Sequence, residues 1–156
     1  MESVTYLGSV ITSEGIKQDK TKVNKILEAK KPTTKKEVRS FLGLTGWFRK
    51  FIPHYAELSS PLTKYLEGPQ RDARGRKTGG MKIELDDEAK TAFETLKTAI
   101  TEAPILIHPK EGKELHLFVD GSGVGVGAVL TQDVEGDLRV IGYASKKIDR
   151  PQSYHA

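Results

Sequence analysis

Asp120 is the residue in this sequence best placed to do chemistry. It ends an apolar run, Leu115 to Val119, that reads as a buried strand, and Gly121, Gly123 and Gly125 follow within five residues. A strand holds the carboxylate rigidly, and the glycines let a bulky anionic backbone approach, an arrangement suited to a divalent cation. A single Asp at a strand end is also a common turn former, so its flanks have to be weighed. Gly123, Gly125 and Ala128 mimic a dinucleotide-binding fingerprint. That fingerprint needs a helix next, with its N-terminus facing the phosphates. Val126 to Thr131 reads instead as a second strand, Asp133 to Asp137 as a hairpin turn, and Leu138 to Ser145 as a third strand. The expectation is a three-stranded meander carrying Asp120.

The second constellation is basic and aromatic. Arg39, Gly43 and Trp47 recur at i, i+4 and i+8 of a helical pattern, which puts them on one face. A glycine between a cation and a flat ring lets a duplex minor groove approach the helix closely. Arg39 then reaches a phosphate or a groove acceptor while Trp47 packs on sugars. Lys35, Lys36, Arg49 and Lys50 are further candidate phosphate contacts. The alternative is that Gly43 and Gly46 serve close helix packing and that Trp47 is core.

The elements that must hold these residues follow from periodicity and capping. Tyr6 to Ile16 alternates around Ser13, Glu14 and Gly15, a hairpin pattern. Val23, Ile26 and Leu27 form a helical stripe after Asp19, a candidate N-cap, and Pro32 ends that helix. Thr34 with Glu37 reads as a capping box, and Val38, Phe41, Leu42, Phe48 and Ile52 give an apolar face before Pro53. A third helical element carries Tyr55, Leu58, Leu62, Tyr65 and Leu66, with Pro61 tolerable near a helix start. Gly68 to Gly80 lacks apolar periodicity and reads as a basic, flexible linker. Then Ala89, Phe93, Leu96 and Ile100 mark a helix capped by Asp86 or Asp87 and followed by Pro104. Adjacent aspartates also bind metal in polymerases, but between two strands; before a helix, capping of free N–H groups is the better reading.

Composition narrows the function classes. The 156 residues contain no cysteine, which removes disulfides and thiolate metal sites, and the four histidines lack ligand spacing, which argues against zinc. No apolar run approaches the ~20 residues of a membrane span, and no secretory pattern opens the chain, so an intracellular protein is expected. The net charge is +4, with the positive excess before Glu84 and a negative balance after it. A polyanion would therefore meet the first half.

Taken in order, these segments resemble the gypsy-type LTR retrotransposon Pol polyprotein. Tyr6 to Ile16 (YLGSVITSEGI) is similar to the hairpin that ends the reverse transcriptase palm and grips the primer, which puts Leu7 and Gly8 in a primer grip. Val38 to Ile52 (VRSFLGLTGWFRKFI) resembles the thumb signature, with Trp47 replacing a usual Tyr, and Ser60 to Leu62 also fits. Ala92 to Lys97 (AFETLK) and Ala103 to Leu106 (APIL) match the segment joining polymerase to RNase H. The family commonly has an aromatic before the joining helix, where this chain has Met81 and Ile83. Glu114 to Gln132 resembles the opening RNase H hairpin, with Gly121 where Ala is usual.

The resemblance implies an α+β fold. Residues 1–67 would be the end of the palm and the thumb, 68–83 the linker, and 84–156 the joining helix with a truncated RNase H-like domain. It implies Asp120 as the first catalytic, metal-binding carboxylate, Mg2+ or Mn2+ in the complete enzyme, and RNA–DNA hybrid or duplex nucleic acid as partner, with the rest of the Pol polyprotein. The next carboxylate would lie beyond Tyr154, and Glu135 and Asp137 are poor substitutes in a hairpin turn. The chain alone is therefore expected neither to polymerise nor to cleave, and to self-associate through the open sheet edge. The alternatives are a non-enzymatic nucleic-acid-binding module derived from a retroelement, or a decayed reading frame. Action in a cytoplasmic particle or the nucleus goes with all three.

Overall fold

Two small antiparallel sheets flank a helical core in a computed structural model that describes residues 3–6 and 9–148. The first sheet joins β1 (Ser3–Tyr6), β2 (Ser9–Thr12) and β3 (Ile16–Gln18) in sequence order. Leu7, Gly8 and Tyr154 lie outside the described residues. The turn from β2 to β3 closes as expected at Ser13 to Gly15, where Thr12 N–H donates to the Gly15 carbonyl at 2.9 Å. A Cβ on Gly15 would run into the Leu106 carbonyl, so the close approach of these strands requires glycine.

Four helices follow. Helix α1 (Lys20–Glu28) starts on Asp19, whose side chain accepts from Thr21 N–H, and stops short of Pro32. Helix α2 (Lys35–Gly46) starts on Thr34, whose hydroxyl accepts from Glu37 N–H at 3.2 Å. The Glu37 carboxylate takes the Thr33 and Thr34 hydroxyls, a variant of the capping box. The apolar face predicted through Ile52 is not one helix: α2 gives way after Gly46 to a 3-10 turn, Arg49–Phe51, which still buries Phe48, Phe51 and Ile52. Helix α3 (Tyr55–Thr63) contains Pro61 in its last turn rather than near its start, and the chain tightens there into a second 3-10 turn, Lys64–Leu66. Proline removes an amide donor, and a short helix ending two residues later loses little by it.

Residues 68–83, read from the sequence as a linker, double back in a hydrogen-bonded turn. The backbone of Arg71 pairs with that of Lys77, and that of Lys82 with Thr34. Lys36 N–H donates to the Gly79 carbonyl at 2.8 Å, and Ile83 N–H to that of Thr33 at 2.9 Å. The buried Thr78 hydroxyl donates to the Pro69 carbonyl at 2.9 Å. Polar residues without periodicity were fixed here by backbone bonds, which leave no hydropathy signal.

Helix α4 (Asp87–Thr101) is capped by Asp86, which accepts from Ala89 N–H at 2.8 Å. Its stripe of Ala89, Phe93, Leu96 and Ile100 is buried against α1, α2 and α3, with the Phe93 ring tilted against that of Phe41 at a centroid distance of 4.6 Å. Lys97 reaches from α4 to the end of α1, where its ammonium caps the Ala29 and Leu27 carbonyls at 2.6 and 3.1 Å. Beyond α4, one extended segment stitches both sheets together. Leu106 exchanges backbone bonds with Ile16, and Ile107 N–H donates to the Val140 carbonyl at 2.9 Å.

The second sheet is the expected meander of β4 (Leu115–Gly121), β5 (Gly125–Val134) and β6 (Asp137–Lys147), with a bulge opposite Leu130 and Thr131. Gln132 is buried and locks the approach to β4, accepting from Lys110 N–H and donating to the Lys110 carbonyl, both at 2.7 Å. The expectation that β4 is buried is corrected. Leu115, Leu117, Phe118 and Val119 are all half or more exposed. An apolar run carries the propensity of a buried strand, but burial needs a partner layer, and among the described residues none covers the Leu115, Leu117 and Val119 face.

Candidate nucleic-acid interface and the Asp120 strand end

Helix α2 places Arg39 and Gly43 on one exposed face, and Trp47 continues it as the helical C-cap. Eight residues at helical rise separate Arg39 from Trp47, roughly 12 Å. Space at Gly43 distinguishes the two readings of this face. A Cβ there would meet nothing within 4 Å, and one at Gly46 would meet only the Tyr55 hydroxyl, at 3.9 Å. Helix packing therefore does not use either glycine. Trp47 is 40% exposed and carries the Lys22 ammonium over its ring at 4.7 Å, so it is not core. The face is open, basic and aromatic.

The other expected contacts separate. Lys36 is exposed beside Arg39, and the two line one surface cleft. Lys35, one residue earlier, is 6% exposed, and its ammonium donates to the Glu67 carbonyl at 3.2 Å, so it is a structural residue and not a phosphate contact. Neighbouring helical positions differ by about 100°, which sends one lysine inward and the next outward. Arg49 and Lys50 sit on the 3-10 turn, away from the α2 helix. Arg49 lies over the Tyr55 ring and donates to the Ser145 carbonyl at 3.4 Å, and Lys50 lies over Phe51. Arg71 and Lys77 join Lys36 and Arg39 around the cleft, a grouping the sequence reading missed. The clue was the basic run itself, whose fold-back onto α2 no local pattern announces.

Asp120 ends β4 on the side facing α3. Its side chain is 82% exposed, and one carboxylate oxygen lies 3.8 Å from His54 Nε2. The other ring nitrogen of His54 lies 3.8 Å from Glu57. His54 adopts a left-handed conformation at the N-cap of α3, with φ of 55°, a position costly for a residue with a Cβ but one in which His is enriched. Its seat is above Gly127, the register partner of Asp120. A Cβ on Gly127 would stand 2.5 Å from the His54 ring. Nearby, Ala56 N–H donates to the Ser145 hydroxyl at 2.8 Å, holding the start of α3 on this sheet face. His54 and Glu57 were not among the expected site residues, because only tertiary packing brings them to Asp120.

The fit of this end to a metal centre is poor. Among the described residues no three His, Asp or Glu side chains converge as a metal-binding group. One exposed carboxylate beside an imidazole does not make the multi-carboxylate, two-ion site that strand cleavage needs.

The chain therefore joins a helical half with an exposed basic and aromatic face to a three-stranded meander whose first strand carries Asp120 near its end. Residues 85–156 match the family described as the RNase H-like domain found in reverse transcriptase. The chain is 37% identical, over 98% of its length, to the retrovirus-related Pol polyprotein from transposon opus of Drosophila melanogaster. It is 35% identical, over 99%, to that from transposon gypsy of the same organism. Among solved structures it resembles the foamy viral protease-reverse transcriptase in complex with RNA/DNA hybrid, with a TM-score of 0.70 and 25% identity over 94% of this chain and 19% of that one. The chain spans about 15% of the length of each of the two curated relatives. It belongs to the reverse transcriptase/RNase H region of the retrotransposon Pol polyprotein family. Among the described residues no helix is long and apolar enough to cross a membrane.

Proposed function

We propose that this chain holds duplex nucleic acid, an RNA–DNA hybrid or a primer–template, along the exposed face of α2. Arg39 and Lys36 meet the phosphate backbone, and Trp47 packs on the sugars across the opening at Gly43. The observation that carries the reading is that Gly43 is bare of neighbours between an exposed cation and an exposed ring. Such a gap has no packing use and suits a groove wall. The hybrid bound by the foamy viral relative supports the same partner.

In this reading residues 1–67 are the end of the palm and the thumb, with Leu7 and Gly8 as the primer grip. Residues 68–83 connect, and 84–156 open the RNase H domain. Asp120 would supply one carboxylate to a Mg2+ or Mn2+ centre only together with further carboxylates of the polyprotein, since it forms no such centre with the described residues. The bare face of β4 is where further sheet-covering structure would pack, and in its absence the open edge favours self-association. Action inside the cell, in a cytoplasmic particle or the nucleus, follows from that role. In this reading the chain by itself neither polymerises nor cleaves, and Asp86 and Asp87 serve as the opening of α4 rather than as a polymerase metal pair.

The test is fluorescence anisotropy of a labelled RNA–DNA hybrid at several salt concentrations, with the wild-type chain beside Arg39→Ala/Trp47→Ala. Salt-sensitive binding that the double variant loses is the expected result. Equal binding by both would refute the α2 face. In parallel, a magnesium-dependent assay on the hybrid should give no cleavage, and robust cleavage abolished in Asp120→Asn would refute the inactive reading.

A further inference from the structure

The cleft beside Arg39 has a volume of about 570 Å³ and is lined by four cations, Lys36, Arg39, Arg71 and Lys77, with no acid among its lining residues. Two of these come from α2 and two from the turn of residues 68–83. We infer that this turn is a second nucleic-acid contact, a phosphate clamp in which Arg71 and Lys77 close over the backbone strand that Lys36 and Arg39 meet from the helix. The inference rests on the proposed role of α2 and extends it to residues that role does not need.

The geometry makes the turn a built site. Arg71 and Lys77 are bridge partners in an antiparallel pairing, which sets their side chains on the same side of the turn. Arg71 Nη1 donates to the Gly75 carbonyl at 2.8 Å, which steadies the guanidinium while its remaining donors stay available. The one acid of the turn is already engaged. Asp72 accepts from Arg74 N–H, Arg76 N–H and Arg76 Nε, each at 2.9 Å, and these bonds hold its carboxyl below the usual range. Asp72 therefore neutralises Arg76, while among the described residues Lys36, Arg39, Arg71 and Lys77 enter no ion pair.

The frame under these cations is tied down as well. Gly79 accepts from Lys36 N–H, and a Cβ on Gly79 would touch Lys36 Cβ at 3.5 Å and Arg39 Nη1 at 3.8 Å, so the turn lies directly against the basic end of α2. Thr78 pins the turn from beneath by its two hydroxyl bonds to Pro69 and Gln70. Four unpaired cations held around one cleft repel each other, and a polyanion relieves that repulsion. Along each strand of a duplex, phosphates recur about every 3.4 Å of helix axis. Arg39 belongs both to the cleft lining and to the Arg39–Trp47 face, so the two adjoin. The ligand class is the phosphodiester backbone of a duplex, read without regard to base sequence.

Titrating a labelled RNA–DNA hybrid duplex with the 156-residue chain over a salt series tests the clamp. Wild type, Arg71→Ala/Lys77→Ala, Arg39→Ala/Trp47→Ala and the control Arg74→Ala/Lys113→Ala are compared, with thermal melts to check folding. The control removes the same charge from positions outside the cleft lining. The expected result is that Arg71→Ala/Lys77→Ala lowers the slope of log affinity against log salt by about 1 for each side chain, while the control leaves it near the wild-type value. If the α2 variant loses binding and the Arg71/Lys77 variant keeps the full slope, the clamp is wrong and the α2 reading stands. If the control lowers the slope equally, only net charge matters and the clamp is again wrong. No binding by the folded wild-type chain overturns the α2 reading and the clamp with it.

Discussion

The helical half and the C-terminal sheet carry similar apolar side chains and treat them in opposite ways. In the helices, Phe93, Leu96 and Ile100 are at most 1% exposed, gathered from α4 against Phe41, Val38 and Ile26. In β4, Leu117 and Val119 are 64% and 63% exposed. A helix bundle can complete its core from short-range neighbours, whereas a sheet face needs a whole second layer. The difference also divides function. The exposed cationic face rides on the half that completes its own core, and Asp120 sits on the half with a bare sheet face. In the proposed reading, the α2 grip depends on the first half and the Asp120 chemistry on the second.

The largest effect that would break this comparison concerns the core. Phe93→Ala should cost about 3–5 kcal/mol in denaturant unfolding, while Leu117→Ala on the bare strand should stay within about 0.5 kcal/mol. Equal losses would mean that β4 is covered in solution, for instance by a second copy, and sedimentation would then show a dimer. Gly127→Ala tests the seam between the halves. Its methyl group meets the His54 ring, so a loss of about 1–3 kcal/mol is expected, and His54→Gly in the same chain should relieve most of it. A strictly additive double mutant would show that His54 does not sit in that seat.

Two smaller effects sharpen the picture within the helical half. Tyr55→Phe removes a hydroxyl that bonds Thr45 at 2.8 Å, and should cost about 1 kcal/mol. Burial raises the Tyr55 phenol above its ordinary value. Its contribution is complete below the unfolded-state value near 10 and fades as pH rises through the higher folded-state one, so the alkaline limb of the stability profile should flatten in the variant. The smallest effect is at Asp86, whose carboxyl is lowered by the Lys64 ammonium and by Ala89 N–H. That stabilisation is present above the ordinary carboxylate value and is lost as pH falls through the lowered one. Asp86→Asn should therefore reduce the acid dependence of the melting temperature slightly, and an unchanged profile would count against the pair.

Legibility along the chain followed the range of the forces involved. Asp19, Thr34 and Asp86 were readable as caps because a cap bonds within three residues. The α4 stripe and the β4–β6 meander were readable because their periods are 3.6 and 2. Lys35 and Lys36 were not separable by type, because which of two adjacent lysines turns inward depends on where the Glu67 carbonyl lies. The fold-back of residues 68–83 was hidden because its ties to Thr33, Lys35 and Lys36 are backbone bonds. His54 was hidden because its partner Asp120 is far along the chain.

The sequence by itself determined the starts of α1, α2 and α4, the β4–β6 meander, the position of Asp120 near a strand end and the Pol polyprotein family, all carried by local spacing and by motifs in fixed order. Tertiary structure alone decided that Gly43 opens to solvent, that Arg71 and Lys77 join the α2 cations, that His54 stands between Asp120 and Glu57, and that β4 lies bare. The physical reason is that exposure and proximity belong to pairs of elements: a side chain is buried, or a cluster is formed, only by whatever the rest of the fold brings against it.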